Sequence, residues 1–69
     1  MRTGNVKWFN EIKGVGVIRD ADGGEYPVHF SGIVDDGFRT LSEGEAVEFD
    51  VTAGASGERA TRVRRMSGD

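Results

Sequence analysis

Trp8 and Phe9 stand between Lys7 and Lys13. The run Lys7-Trp8-Phe9-Asn10 leads by way of Glu11-Ile12 into Lys13-Gly14-Val15-Gly16. Aromatic faces stack on unpaired bases while neighbouring cations hold the phosphate backbone, so these residue types at this spacing suit a single-stranded nucleic acid. Downstream, Val28-His29-Phe30-Ser31 adds two more rings.

Other chemistries find little to work with. His29 is the sole histidine and there is no cysteine, which leaves no thiolate metal site and no disulfide. Gly14 and Gly16 lack the Gly-Lys-Ser/Thr ending of a P-loop and the following helix of a dinucleotide fingerprint. The pairs Asp20/Asp22 and Asp35/Asp36 are too short and irregular for a calcium loop, and read as solvated turns. No Ser/His/Asp or Cys/His constellation can be assembled. The expectation is a binding protein, not an enzyme, with no cofactor and no metal.

These residues need a scaffold, and the glycines punctuate it. Eleven glycines and one proline suggest short strands joined by tight turns. A first strand is expected over Asn5–Asn10 with Val6 facing the core, a second over Val15–Arg19, and a third over Glu25–Phe30. Asp20-Ala21-Asp22-Gly23-Gly24 reads as the turn between the second and third. A helical turn is expected near Ser31–Val34 in the irregular stretch from Ser31 to Gly44. Glu45–Thr52 alternates most clearly: Val47, Phe49 and Val51 on one face, Glu48, Asp50 and Thr52 on the other. Arg59–Met66 is the last strand. Five short strands in 69 residues point to an all-β fold, a small five-stranded antiparallel barrel, since closure removes vulnerable edges.

The length allows a single domain over residues 1–69, with its core over about 4–66. Such a chain hides only ~60% of its extended surface on folding, and a small single core supplies about 3–5 kcal/mol. With no apolar leader and no run long enough to span a membrane, a soluble cytoplasmic protein is expected. The net charge of −3 is unusual for a nucleic-acid binder, but distribution counts for more than the sum. Cations fall at Lys7, Lys13, Arg39, Arg59, Arg62, Arg64 and Arg65; acids gather at Asp20, Asp22, Asp35, Asp36, Glu43, Glu45, Glu48 and Asp50.

Taken together, Gly4-x-Val6-Lys7-Trp8-Phe9-Asn10, Lys13-Gly14-x-Gly16-x-Ile18, Val28-His29-Phe30-Ser31, Gly37-Phe38-Arg39-Thr40-Leu41 and Glu43-Gly44-x-x-Val47-x-Phe49 resemble the bacterial cold-shock proteins. The match runs without gaps from residue 4 to about 65. It implies a barrel of the oligonucleotide-binding type that binds single-stranded RNA or DNA and melts weak RNA structure. It also implies stacking by Trp8, Phe9, His29, Phe30 and Phe38, with Lys7, Lys13 and Arg39 as cationic contacts.

Three positions of that implied site depart from the family. Val15, Val17 and Pro27 stand where aromatics are usual. At ~1 kcal/mol per stack, the low end of the measured range, the three losses amount to about two orders of magnitude in affinity if they add. Tyr26 replaces a small aliphatic residue, and either points inward or is turned outward by a bulge. The last strand is far more basic than usual, and if Val63 faces the core, Arg62 and Arg64 share the opposite face. Two rival readings stay open: a diverged barrel whose face contacts a protein or pairs with a second copy as a homodimer, and an oligosaccharide or small-ligand binder on the same fold.

Overall fold

Alternation and glycine placement set the strand boundaries. A computed structural model describes residues 2–34, 40–55 and 57–66. The strands are β1 (Arg2–Asn10), β2 (Val15–Asp20), β3 (Glu25–His29), β4 (Ala46–Gly54) and β5 (Gly57–Arg65), with a 3-10 turn over Phe30–Gly32 after β3. All pair antiparallel in one sheet of order β3-β2-β1-β4-β5. The family's all-β architecture is therefore present. The outer strands β3 and β5 lie against each other, and their side of the sheet is stitched by a parallel bridge between Ile33 and Val63, where Val34 N donates to Val63 O at 2.8 Å.

Several boundaries differ from expectation. β1 begins at Arg2, and β4 runs on to Gly54 because the β4–β5 hairpin is tighter than the sequence suggests, closing through the pair Gly54/Gly57. Phe30 opens the 3-10 turn instead of ending β3, with the His29 side chain accepting from Ser31 N. Asp20 does more than open the turn: it ends β2, is buried, and its carbonyl accepts from Gly23 N at 2.8 Å. Its carboxylate accepts from Asp22 N and from the Arg2 guanidinium, each at 2.9 Å. Those partners, the Asp22 N–H first and then Arg2, hold it below the usual carboxylate range.

The core gathers Val6, Ile18, Val28, Ile33, Leu41, Val47, Phe49, Ala60 and Val63. Tyr26 faces it, since β2 and β3 pair without a register break and no bulge turns the ring out. Its ring packs tilted on Phe49 at 6.0 Å between centroids, and its hydroxyl accepts from Arg2 Nη1 at 3.3 Å. The phenol thus keeps a polar partner at the rim of an apolar site.

Pro27 is accommodated by ladder geometry. Phe30 N donates to Gly14 O and Asp20 N to Gly24 O, both at 2.7 Å. Antiparallel pairs alternate between bonded and non-bonded, which makes Val17/Pro27 a non-bonded pair. The missing N–H of Pro27 therefore points away from β2, at an edge where proline costs the ladder nothing.

Candidate nucleic-acid interface

A bulge in β1 builds this face. The β1–β2 register slips between Val6 and Trp8. Strict alternation from the buried Val6 would send Trp8 inward; instead Lys7 and Trp8 both face out and Phe9 turns in. Trp8 is 43% exposed. Phe9 is half-buried against the core cluster. Gly16 makes that position possible, because a Cβ there would meet Trp8 O and come within 2.7 Å of the Phe9 ring.

Two cross-strand rows follow on the outer face. Trp8, Val17 and Pro27 are successive partners across β1, β2 and β3; Asn10, Val15 and His29 form the parallel row. Val15/His29 and Val17/Pro27 are non-bonded pairs, the closer kind, so their side chains abut. The surface is continuous but low where the valines sit. His29 and Phe30 close its far end, with ring centroids 4.5 Å apart and tilted by 40°. His29 Nδ1 lies 2.8 Å from Ser31 Oγ and accepts from Ser31 N at 3.2 Å, which fixes the ring's orientation.

The loop between β1 and β2 holds Lys13 beside this end. Asn10 Oδ1 accepts from Ile12 N and Lys13 N at 2.9 and 3.0 Å, and Gly14 N donates to Asn10 O at 2.7 Å. Gly14 has φ 70, and a Cβ there would come within 2.7 Å of the Phe30 ring. Only glycine takes that backbone without strain and lets the ring lie on the loop. Ile12, at its tip, is 97% exposed beside Phe30 and Lys13.

The expected segregation of charge is broken on this face. Glu25 sits among the cations: Lys7 Nζ donates to both its oxygens at 3.2 and 3.1 Å, and Arg19 Nη2 donates at 3.0 Å. Arg19 first, then Lys7, holds the Glu25 carboxyl below its usual range, so it stays ionised at neutral pH. A phosphate must displace this carboxylate to reach Lys7. Lys13 carries no such partner among the described residues. Glu25→Gln is therefore expected to tighten single-strand binding roughly five-fold at low salt, the scale of an exposed ion pair. It should also steepen the salt slope by ~0.7 per phosphate gained. A titration with unchanged affinity and slope would place Lys7 and Arg19 off the path.

Sequence comparison places this surface in a family. The model for the 'Cold-shock' DNA-binding domain matches residues 2–66. The chain belongs to the cold-shock domain family. The cold shock-like protein CspE of Buchnera aphidicola (subspecies Acyrthosiphon pisum) and that of Escherichia coli K12 are each 56% identical to it over 61 residues, 87% of this chain and 88% of theirs. Cold shock-like protein CspLB of Listeria monocytogenes is 47% identical over 66 residues, 96% of this chain and all of its own. Nucleic-acid binding of the cold-shock type comes with that membership, which does not favour a face given over to protein contact.

In this cold-shock domain the fold brings Lys7, Trp8, Val15, Val17, Pro27, His29 and Phe30 onto one face, with Lys13 in the adjoining loop and Phe9 half beneath it. Phe38 and Arg39 lie outside the described residues. Sequence reading passed over Arg19 and Glu25, although their opposite charges flank the β2–β3 turn and pair directly across it. The basic C-terminal strand is divided. Arg65 is structural, donating to Thr40 O at 2.6 Å with Glu45 at 3.3 Å. Arg62 and Arg64 flank the buried Val63 and are both exposed.

Proposed function

We propose that residues 1–69 act as one domain that binds single-stranded RNA or DNA, as an RNA chaperone or a regulator of transcription or translation, in the cytoplasm. Continuity of the Trp8–Val17–Pro27 row with His29 and Phe30 supports this reading most directly. Trp8, His29, Phe30 and Phe38 stack on bases, with Phe9 as support; Val15, Val17 and Pro27 give apolar contact; Lys7, Lys13 and Arg39 meet phosphates. Binding to unpaired bases favours the open strand, so a hairpin's melting equilibrium shifts toward it by the difference in affinity between the two forms. The mechanism needs no covalent step and no nucleotide hydrolysis. Among the described residues no helix is long and apolar enough to cross a membrane.

Trp8 is the only tryptophan and reports on its own site. Titrating its fluorescence with a short pyrimidine-rich strand is expected to give quenching that weakens as salt rises. Trp8→Ala, followed by anisotropy of a labelled strand, should lose roughly five- to hundred-fold in affinity, the ~1–3 kcal/mol of one stack. A folded sample that shows neither quenching nor anisotropy change at low salt would overturn the proposal.

A further inference from the structure

We infer that the strand path continues from His29 over β5, where Arg59 and Arg62 hold the phosphates of a segment that extends beyond the aromatic face. This rests on the single-strand reading above and assigns the charge that serves it. A cleft of about 440 Å³ opens between the 3-10 turn and β5, lined by His29 and Ser31 on one wall and Arg59, Thr61 and Arg62 on the other. His29 belongs to both this cleft and the stacking face, so a strand leaving the rings enters it without a gap.

Its charge adds to the little that is open on the stacking face. Among the described residues no aspartate or glutamate lines this cleft, whereas the next one along β5, which Arg62 also lines, includes Asp50 and Glu58. Lys7 and Arg19 are taken up by Glu25. Arg59 makes no ion pair among the described residues, and Arg62 lies 3.9 Å from Asp50 with 78% of its side chain exposed. Beside Lys13 in the β1–β2 loop, the cations open to a polyanion among the described residues therefore include Arg59 and Arg62 on β5.

Backbone geometry directs Arg62 there. The β4–β5 register slips between Glu48/Arg64 and Asp50/Thr61, so Phe49 faces both Arg62 and Val63. Val63 keeps the inward place and is fully buried, which leaves Arg62 as the extra residue, held at φ 51. A left-handed arginine is strained, and such strain gathers at functional sites. Here it places one cation where the cleft beside His29 meets the next one along β5, which Arg62 also lines.

Strand length separates this site from a general loss of charge. Single-stranded sites on this fold type span about 4–16 nucleotides, so strands of about four and about nine nucleotides are titrated against Trp8 fluorescence across a salt series. The variant is Arg59→Gln/Arg62→Gly, glycine being at ease at φ 51. It is expected to weaken the longer strand about ten-fold at low salt and to flatten its salt slope by ~1.4, two contacts at ~0.7 each, while the shorter strand is nearly unaffected. Arg59→Gln alone, which leaves the bulge intact, should flatten the slope by ~0.7. Equal losses on both strands, or an unchanged slope on the longer one, would overturn the inference while leaving the stacking face standing. Wild-type protein that binds neither strand would remove both.

Discussion

Val15→Phe, Val17→Phe and Pro27→Phe made together are expected to tighten binding to a pyrimidine-rich single strand by about two orders of magnitude, three stacks at ~1 kcal/mol each. The register makes the sites suitable. Residues 17 and 27 continue the row begun by Trp8, and residue 15 abuts His29. Val15 and Val17 are half-exposed and Pro27 is exposed, so new rings enter solvent, not the core. Pro27 can be replaced without disturbing the ladder because its nitrogen faces away from β2. Neighbouring stacks couple, so the triple variant is compared with the three single ones. Val17→Phe, between Trp8 and Pro27, should give the largest single gain. Affinity within a factor of two of wild type would mean that bases do not pass over this row, and would move the path toward the loop and β5.

Much of this was legible in the sequence because the decisive signals are local. The alternation of Val47, Phe49 and Val51, the glycine-rich turns and the Lys7–Phe9 run each declare themselves within a few residues, and the family resemblance orders them into one fold. What escaped depends on pairing between strands. The β1 bulge that turns Lys7 and Trp8 to the same side is a property of the β1–β2 register, and a single strand read by alternation gives the opposite facing. Glu25 drew no notice as a charge, and only the β2–β3 register sets it opposite Arg19 and within reach of Lys7. Asp20 read as turn chemistry because aspartate before Ala-Asp-Gly-Gly usually is; Arg2 gives it a buried role that no spacing signals. The four C-terminal arginines formed one cluster in sequence, and a second bulge parts them into structural and exposed members.

Phe49→Ala is expected to leave the chain largely unfolded at room temperature. Phe49 is fully buried, it is the largest of the fully buried side chains, and Tyr26 packs on its ring. Truncating a core phenylalanine costs about 3–5 kcal/mol through lost transfer energy and the cavity left behind. A core of this size supplies about the same in total. The two nearly cancel. Repacking offers little relief, since Val47 and Val63 beside it are already fully enclosed and short, and the ring faces the β5 bulge that splays its partners. Loss of Phe49 also withdraws support from Tyr26, and through β3 from Pro27 and His29 on the other side of that strand, so binding should fail together with folding. Phe49→Leu keeps most of the volume and should melt cooperatively at a lower temperature, with the outer face intact. Circular dichroism through a thermal ramp, with strand binding measured on the same samples, tests both. A cooperative melt close to wild type for Phe49→Ala would show that β3 and β5 can close over the vacancy, and that the core is far more plastic than its burial implies.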